Sequence, residues 1–354
     1  MRTDYDGIQY VGMDLHRHRS VLVSMTADGE RLWTEKIDNS PAALRQTLAQ
    51  AGPEPKVVLE ATHGWYWATD TLQTAGAEVH LAHPLGVKAF TYRRVKNDRR
   101  DAADLADLLR MNRLPEAWIA PEPVRQLREL TRYRIKLVRL RAGGRDQIHA
   151  ILAKRGIPAA CRDIFGTGGR IWLQAVALPQ PYAGKLGSLL RLTDALTDEI
   201  GLLEEVIADL LAGHAGYRAI QACDGIGPIL AAVIVAEVGD VRRFKRPEQL
   251  ASWAGLTPRH RESDCKVARG HITKQGPPTL RWALVEAVQR VPATSVIGQV
   301  KAGILARRSP EAKSIAKIAA ARELLELVFY GLRDGRIRRL ERHRTPAAGA
   351  DTTE

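Results

Sequence analysis

The chain has 354 residues, 45% of them hydrophobic, which is enough for two domains with real cores. Its 53 Lys+Arg against 40 Asp+Glu leave a net charge of +13, so a polyanion such as nucleic acid is the expected partner. Cys161, Cys223 and Cys265 lie far apart with no C-x-x-C pair, which argues against a zinc site or a disulfide framework.

In chain order, Ile8–Leu15 and Ser20–Met25 alternate as strands, and Asp28-Gly29 turns the chain into a third strand, Arg31–Ile37. Pro41–Ala51 suits a helix capped by Ser40. Strand Lys56–Ala61, helix Trp65–Thr74, strand Ala77–Ala82 and helix Asp98–Met111 follow. An antiparallel meander leading into alternating α/β units is the order a ribonuclease-H-like domain needs, here over residues 1–118. Residues 119–214 read as a helical, coiled-coil region. Val124–Lys154 is a long Arg/Leu-rich helix, Gly156–Gly184 a connection, and Leu189, Leu196, Leu203 and Leu210 recur as heptads with Ile200 and Ile207 between them. Those heptads can pair within the chain, for instance against Val124–Lys154, or between subunits. Residues 215–344 are mixed but mostly helical, and 345–354 form a small polar tail expected to be disordered. The N-terminus carries no apolar signal core, and the longest apolar run, Ile229–Glu237, is too short to span a bilayer; the expectation is a cytoplasmic chain without a membrane segment.

Two constellations carry chemistry. Asp14 and Glu60 close two predicted strands, while Asp98 and Asp101 open a helix on one face. Converging carboxylates stay ionised when a cation joins them, and hard oxygen donors suit Mg²⁺ or Mn²⁺. Each acid also has an ordinary reading, as a turn residue, a cap or a helix-dipole partner; Asp104 and Asp107 on the same helix are read as solvation. The second constellation is Leu256–Leu284, read as much loop followed by a helix that Pro278 and Thr279 begin, in which Arg259, Arg261, Lys266, Arg269 and Lys274 surround Ser263. A hydroxyl among cations is placed for attack on a phosphate, or simply for contact with the DNA backbone. Gly225-Ile226-Gly227 before an apolar helix has the form of a helix-hairpin-helix turn, whose N–H groups meet a phosphate; a tight turn between buried helices has the same form. Further basic clusters stand at Arg242, Arg243, Lys245 and Arg246, and at Arg336, Arg338, Arg339, Arg342 and Arg344.

The stretches VGMDLH, VVLEATHGWYW, VKNDRRDAADLADLL, DGIGPILAAVIVAEVGD and LASWAGLTPRHRESDCKVARGHITKQGPPTLRWAL together resemble the DEDD-type insertion-sequence transposases, described as bridge-RNA-guided serine recombinases. The resemblance runs over nearly the whole chain, with gaps in the central helical part. It implies a resolvase-like (RuvC-like) N-terminal domain, a central coiled coil and a C-terminal transposase domain. It places the metal-binding acids on Asp14, Glu60, Asp98 and Asp101 and the nucleophile on Ser263. It further implies donor and target DNA, a guide RNA, and a homo-oligomer, dimer to tetramer, whose active sites combine parts from different subunits. Asn97 departs from the Thr that many relatives carry before the first helix Asp. Two rival readings are a metal-dependent junction resolvase that uses water and a non-catalytic nucleic-acid-binding protein.

Overall fold

The computed structural model describes residues 5–90, 97–263, 266–309 and 311–340, with the side chains at 261, 263 and 266–269 outside that description. The predicted tail 345–354 and the cluster members Arg342 and Arg344 lie outside the described residues as well. The chain divides after Ala120 into two compact units. Among the described residues no helix is long and apolar enough to cross a membrane.

The first unit is a mixed sheet covered on both faces. Strands β1 (Tyr10–Leu15), β2 (Arg19–Met25) and β3 (Arg31–Asp38) form the meander. Then come α1 (Pro41–Leu48), β4 (Lys56–Glu60), α2 (Trp65–Thr74), β5 (Glu78–Ala82), α3 (Pro84–Val87), α4 (Asp98–Arg110) and the short β6 (Glu116–Ala117). The strand order is β3-β2-β1-β4-β5-β6: β1, β2 and β3 pair antiparallel, β1, β4 and β5 parallel, and β6 antiparallel to β5. Alternation sorts the side chains between the two faces. Val11, Met13, Val57 and Leu59 enter one core with Leu44, Leu48 and Leu72 from α1 and α2. Val21, Val23 and Met25 meet Ala102, Ala103 and Ala106 of α4 on the other face, as Val58 meets Leu105 and Leu109. Gly12, Asp14 and Glu60 occupy the alternate positions, on the α4 side.

Among its described residues the second unit is helical apart from one hairpin. The long α5 (Glu122–Lys154) is followed by α6 (Thr167–Ala175) and α7 (Tyr182–Leu211). Helices α5 and α7 lie antiparallel, since Arg134 meets Glu204, Arg141 meets Thr197, and Ile148 and Leu152 pack with Leu186 and Leu190. Ile200 and Ile207 are buried within this chain, whereas Leu210 is 60% exposed. The segment read as a connection, Gly156–Gly184, holds α6, whose Leu173 joins the α5–α7 core. Beyond α7 come α8 (Ala215–Ile220), α9 (Pro228–Val238), α10 (Pro247–Trp253), β7 (Pro258–Ser263), β8 (Lys266–Ile272), α11 (Pro278–Ala287), α12 (Val296–Arg307) and α13 (Lys313–Asp334). The stretch read as loop around Ser263 is therefore an antiparallel hairpin. The core here is built from α9, α11 and α13, including Val233, Ile234, Leu284, Leu324 and Phe329.

Candidate active site

The acid centre is assembled by strand register and one missing Cβ. Strands β1 and β4 run in parallel with Met13 opposite Leu59, so the next step brings Asp14 and Glu60 to the same sheet edge. Both are half-buried and lie on the face that α4 covers. A Cβ at Gly12 would stand 1.8 Å from the Ala102 carbonyl oxygen and 2.8 Å from the Ala106 nitrogen, so the backbone of α4 rests directly on β1 at a residue without a side chain. Two residues along β1 cover about 6.6 Å and reach Asp14. Four residues back along α4 cover about 6 Å and reach Asp98. The two displacements bring strand end and helix start together.

His16 joins them. It follows β1 directly, and its backbone is held by His16 N–H donating to Arg19 O (3.2 Å) and Asn39 Nδ2 donating to His16 O (2.6 Å). Its Nε2 lies 3.1 Å from Asp14 Oδ2 and 3.6 Å from Asp98 Oδ1. One donor atom from each of these residues falls within 4.8 Å of the others. Glu60, on the adjacent strand, and Asp101, one turn further along α4, are outside that tight group. Asn97 caps α4 by accepting a hydrogen bond from Arg99 N–H at 3.0 Å, the same service a Thr performs, so the departure noted in sequence leaves the helix start intact. The positive end of α4 also favours the negative charge gathered there. Two carboxylates and an imidazole in this arrangement are a donor set that suits a divalent cation. His16 was missed in sequence, although Asp14-Leu15-His16 places two donors two residues apart at a strand end, where they share a face.

Beside the acids, His16, Arg17, His18, Arg19, Val21, Lys36 and Asp98 line a cavity of about 410 Å³. Arg19 is tied to Asp38 at 3.0 Å; among the described residues neither Arg17 nor Lys36 enters an ion pair. A larger cavity of about 1260 Å³, around Gln9, Trp33, Lys56 and Glu78, opens at the opposite edge of the sheet and contains none of the predicted site residues.

In the second unit, Ser263 ends β7 directly opposite Lys266 of β8, and Arg261 and Arg269 lie opposite Ala268 and His260. The side-chain surroundings of Ser263, Arg261, Lys266 and Arg269 are outside the described residues. Arg259 is exposed on β7, and His260 Nε2 meets Glu262 Oε2 at 3.3 Å. The base of the hairpin is clamped. Arg281 Nη1 donates to the carbonyls of Ala254 (3.1 Å), Gln275 (2.9 Å) and Gly276 (2.9 Å). Gly276, at φ +81°, lies so close to Trp253 O that a Cβ would come within 1.8 Å. Lys274 takes the left-handed conformation, φ +56°, and is exposed in this turn.

The two predicted phosphate-binding glycines differ in surroundings. Gly225, at φ +86°, would drive a Cβ to 2.1 Å from Ala287 O, so close packing on α11 accounts for it. Gly227 is the exposed N-cap of α9 with open space around it. Among the described residues two members of the basic clusters are engaged by the protein itself, Arg339 through an ion pair with Glu323 and Arg243 more deeply. The Arg243 guanidinium lies 4.1 Å from the Phe244 ring centre and 4.3 Å from that of Trp253, and donates to Val238 O at 3.3 Å. Burial, with Arg128 nearby, pushes its pKa down to about 10, which leaves it charged at neutral pH. Arg242, Lys245 and Arg246 are exposed.

Residues 11–155 match the family model described as a DEDD transposase of the IS110 type, and residues 217–299 match the one described as Transposase IS116/IS110/IS902 family. The first span contains the acid centre and the second contains Ser263. The chain is 30% identical over 236 residues to a probable family 20 transposase of Pseudomonas aeruginosa, covering 64% of this chain and 68% of that protein. It is 29% identical to the putative transposase y4qE of Sinorhizobium fredii, over 88% of this chain and 79% of that one. It is 24% identical to the transposase for insertion sequence element IS1111A of Coxiella burnetii, over 81% of this chain and 79% of that one.

Proposed function

The chain belongs to the IS116/IS110/IS902 family of insertion-sequence transposases, and from that premise we propose that it exchanges DNA strands through a serine ester, with an acid-held divalent cation assisting at the phosphate. The observation that carries the metal part of the reading is the Asp14–His16–Asp98 cluster at the end of β1 and the start of α4, on a sheet of order β3-β2-β1-β4-β5, while the serine part rests on the motif resemblance around Ser263. That order supports a ribonuclease-H-like, RuvC-like assignment for the first unit.

In this scheme Ser263 Oγ attacks the scissile phosphorus in line, its proton passes to a base, and the P–O bond to the 3′-oxygen breaks, the departing oxygen taking up a proton to leave a free 3′-hydroxyl. The phosphoserine ester conserves the bond energy, and a partner 3′-hydroxyl then attacks it and releases Ser263. No nucleoside triphosphate is required, and the sequence has no G-x-x-x-x-G-K-[ST] loop. Asp14, Glu60, Asp98 and Asp101 would hold Mg²⁺ or Mn²⁺, which when bound polarises phosphoryl oxygens and offsets developing charge. Arg259, Arg261, Lys266, Arg269 and Lys274 would neutralise the phosphate oxygens as the ester forms, and Gly227 N–H, at the start of α9, would meet a backbone phosphate. The motif resemblance adds a guide RNA, which would leave sequence choice to base pairing, and a homo-oligomer that combines acids and serine from different subunits.

The water-using alternative has its own support, since the acid cluster is complete within the first unit. Ser263→Ala separates the two. Under the serine scheme the variant keeps nucleic-acid binding, loses strand exchange in a two-plasmid assay, and leaves no protein–DNA adduct on denaturing gels. Wild-type-like exchange by the alanine variant would remove the serine from the mechanism.

A further inference from the structure

His16 stands where a purely structural histidine has little reason to be. It is half-exposed, so its ring fills no core, yet its Nε2 lies between the carboxylates of Asp14 and Asp98. Its backbone is pinned on both sides, by Arg19 O and by Asn39, and Asn39 is in turn held by the buried Ser20 hydroxyl at 2.6 Å. The imidazole is thus carried on a fixed turn, aimed at the acid pair.

The spacing is that of donors around one ion. A cation about 2.1 Å from each donor places neighbouring donors about 3.0 Å apart and opposed donors about 4.2 Å apart. The Nε2–Oδ distances of 3.1 and 3.6 Å, with all three donor atoms inside 4.8 Å, lie within or near that range. We infer that His16 is a direct ligand of the divalent cation, together with Asp14 and Asp98, and that this nitrogen makes the centre prefer Mn²⁺ to Mg²⁺. The inference rests on the proposed metal reading and extends it. Mg²⁺ is hard, keeps its water and takes oxygen donors, whereas a borderline ion accepts an imidazole readily. Asp14, His16 and Asp98 then form a two-carboxylate, one-imidazole set, which Glu60 and Asp101 would complete on the same ion or on a second one.

The test reads the bond itself. Full-length protein is loaded with Mn²⁺ alone and measured by pulsed electron paramagnetic resonance, which detects a coordinated ¹⁴N, and by titration calorimetry with Mn²⁺ and with Mg²⁺. Wild type is expected to show the nitrogen coupling. His16→Gln should lose the coupling and bind Mn²⁺ about 10- to 100-fold more weakly, with a smaller change for Mg²⁺. His18→Ala lines the same cavity and should keep the signal. Circular dichroism checks folding, which an exposed ring should not disturb. Bound Mn²⁺ without nitrogen coupling in wild type, or coupling that survives His16→Gln, overturns the ligand assignment and leaves the carboxylate site standing. Failure of wild type to bind Mn²⁺ at all overturns the metal reading together with it.

Discussion

The position of α4 on β1 rests on Gly12, and replacing it is a direct test of how the acid centre is built. In Gly12→Ala the new methyl starts 1.8 Å from the Ala102 carbonyl oxygen, whereas real Cβ atoms keep at least about 3.0 Å. The helix must therefore retreat by more than an ångström. Because the clash is with backbone, no side-chain change on α4 relieves it. Asp98 moves with the helix while Asp14 and His16 stay with β1, so the 3.6 Å approach of Asp98 to His16 opens. Overpacking of this kind costs about 1–3 kcal/mol, or very roughly 4–12 °C in melting temperature. A misplacement of about 1 Å at a catalytic group costs on the order of 10²-fold in rate. Strand exchange is expected to fall by about that factor, with weaker Mn²⁺ binding measured by calorimetry below the melting transition. Gly201→Ala in α7, where nothing lies within 4 Å of the added carbon, is the control and should stabilise by about 0.5–1 kcal/mol. A Gly12→Ala protein that binds Mn²⁺ and exchanges strands within twofold of wild type would refute the idea that this contact sets the site.

The remaining expectations follow from partners already named. Asp98→Ala should abolish tight Mn²⁺ binding, whereas Asp107→Ala should lower the melting temperature slightly and leave the metal alone, since Asp107 is bonded to Arg110 at 2.8 Å; equal loss of metal in both would remove the distinction. Arg132→Ala leaves Glu237, 1% exposed, without its bidentate partner and should cost about 3 kcal/mol by denaturant unfolding. A log–log plot of DNA affinity against salt should flatten by about two units in Arg242→Ala/Lys245→Ala, while Arg243→Ala lowers stability with no change in slope; a slope change in Arg243→Ala would show that its charge faces DNA.

The placement of the acids at strand ends and a helix start is legible in the sequence, because strand alternation and helix starts are local signals. Asp14 and Glu60 end strands whose alternating apolar residues are visible in sequence, and Asp98 follows a good cap. What sequence lacks is the depth of each residue's reach. Four carboxylates looked equivalent, yet the tight group is Asp14, His16 and Asp98, because a turn pinned by Asn39 carries an imidazole inward. Glycines hid two further elements. The Gly156–Gly184 stretch reads as a connection, but it holds α6, in whose first turn Gly169 lies where a Cβ would come within 2.4 Å of Ile164. The part of Leu256–Leu284 before the helix at Pro278 reads as loop because of its glycines and cations, while Gly270 lies inside β8 with ordinary room for a side chain, so its presence reflects no need for a missing Cβ. At Gly169 the glycine marks close approach of two segments, and a sequence shows the glycine without the neighbour that requires it.

The same separation of identity from placement governs the charge. Helix α9 is apolar all round, and Ala231 to Val238 are all buried, Glu237 among them. A helix sunk this far must still satisfy the carbonyls of its last turn. Arg128 donates to Ala236 O at 2.8 Å and Glu237 O at 2.9 Å, Arg132 grips the Glu237 carboxylate, and Arg243 donates to Val238 O. Cations at a helix C-terminus also meet the negative end of its dipole. These arginines contribute to the +13 that first suggested nucleic acid, yet their heads are engaged in holding α5 and the chain after α9 to one buried helix end. Net charge therefore overstates the electrostatic footprint of this chain, and the salt dependence of DNA binding should follow the exposed Arg242, Lys245 and Arg246 more closely than the total.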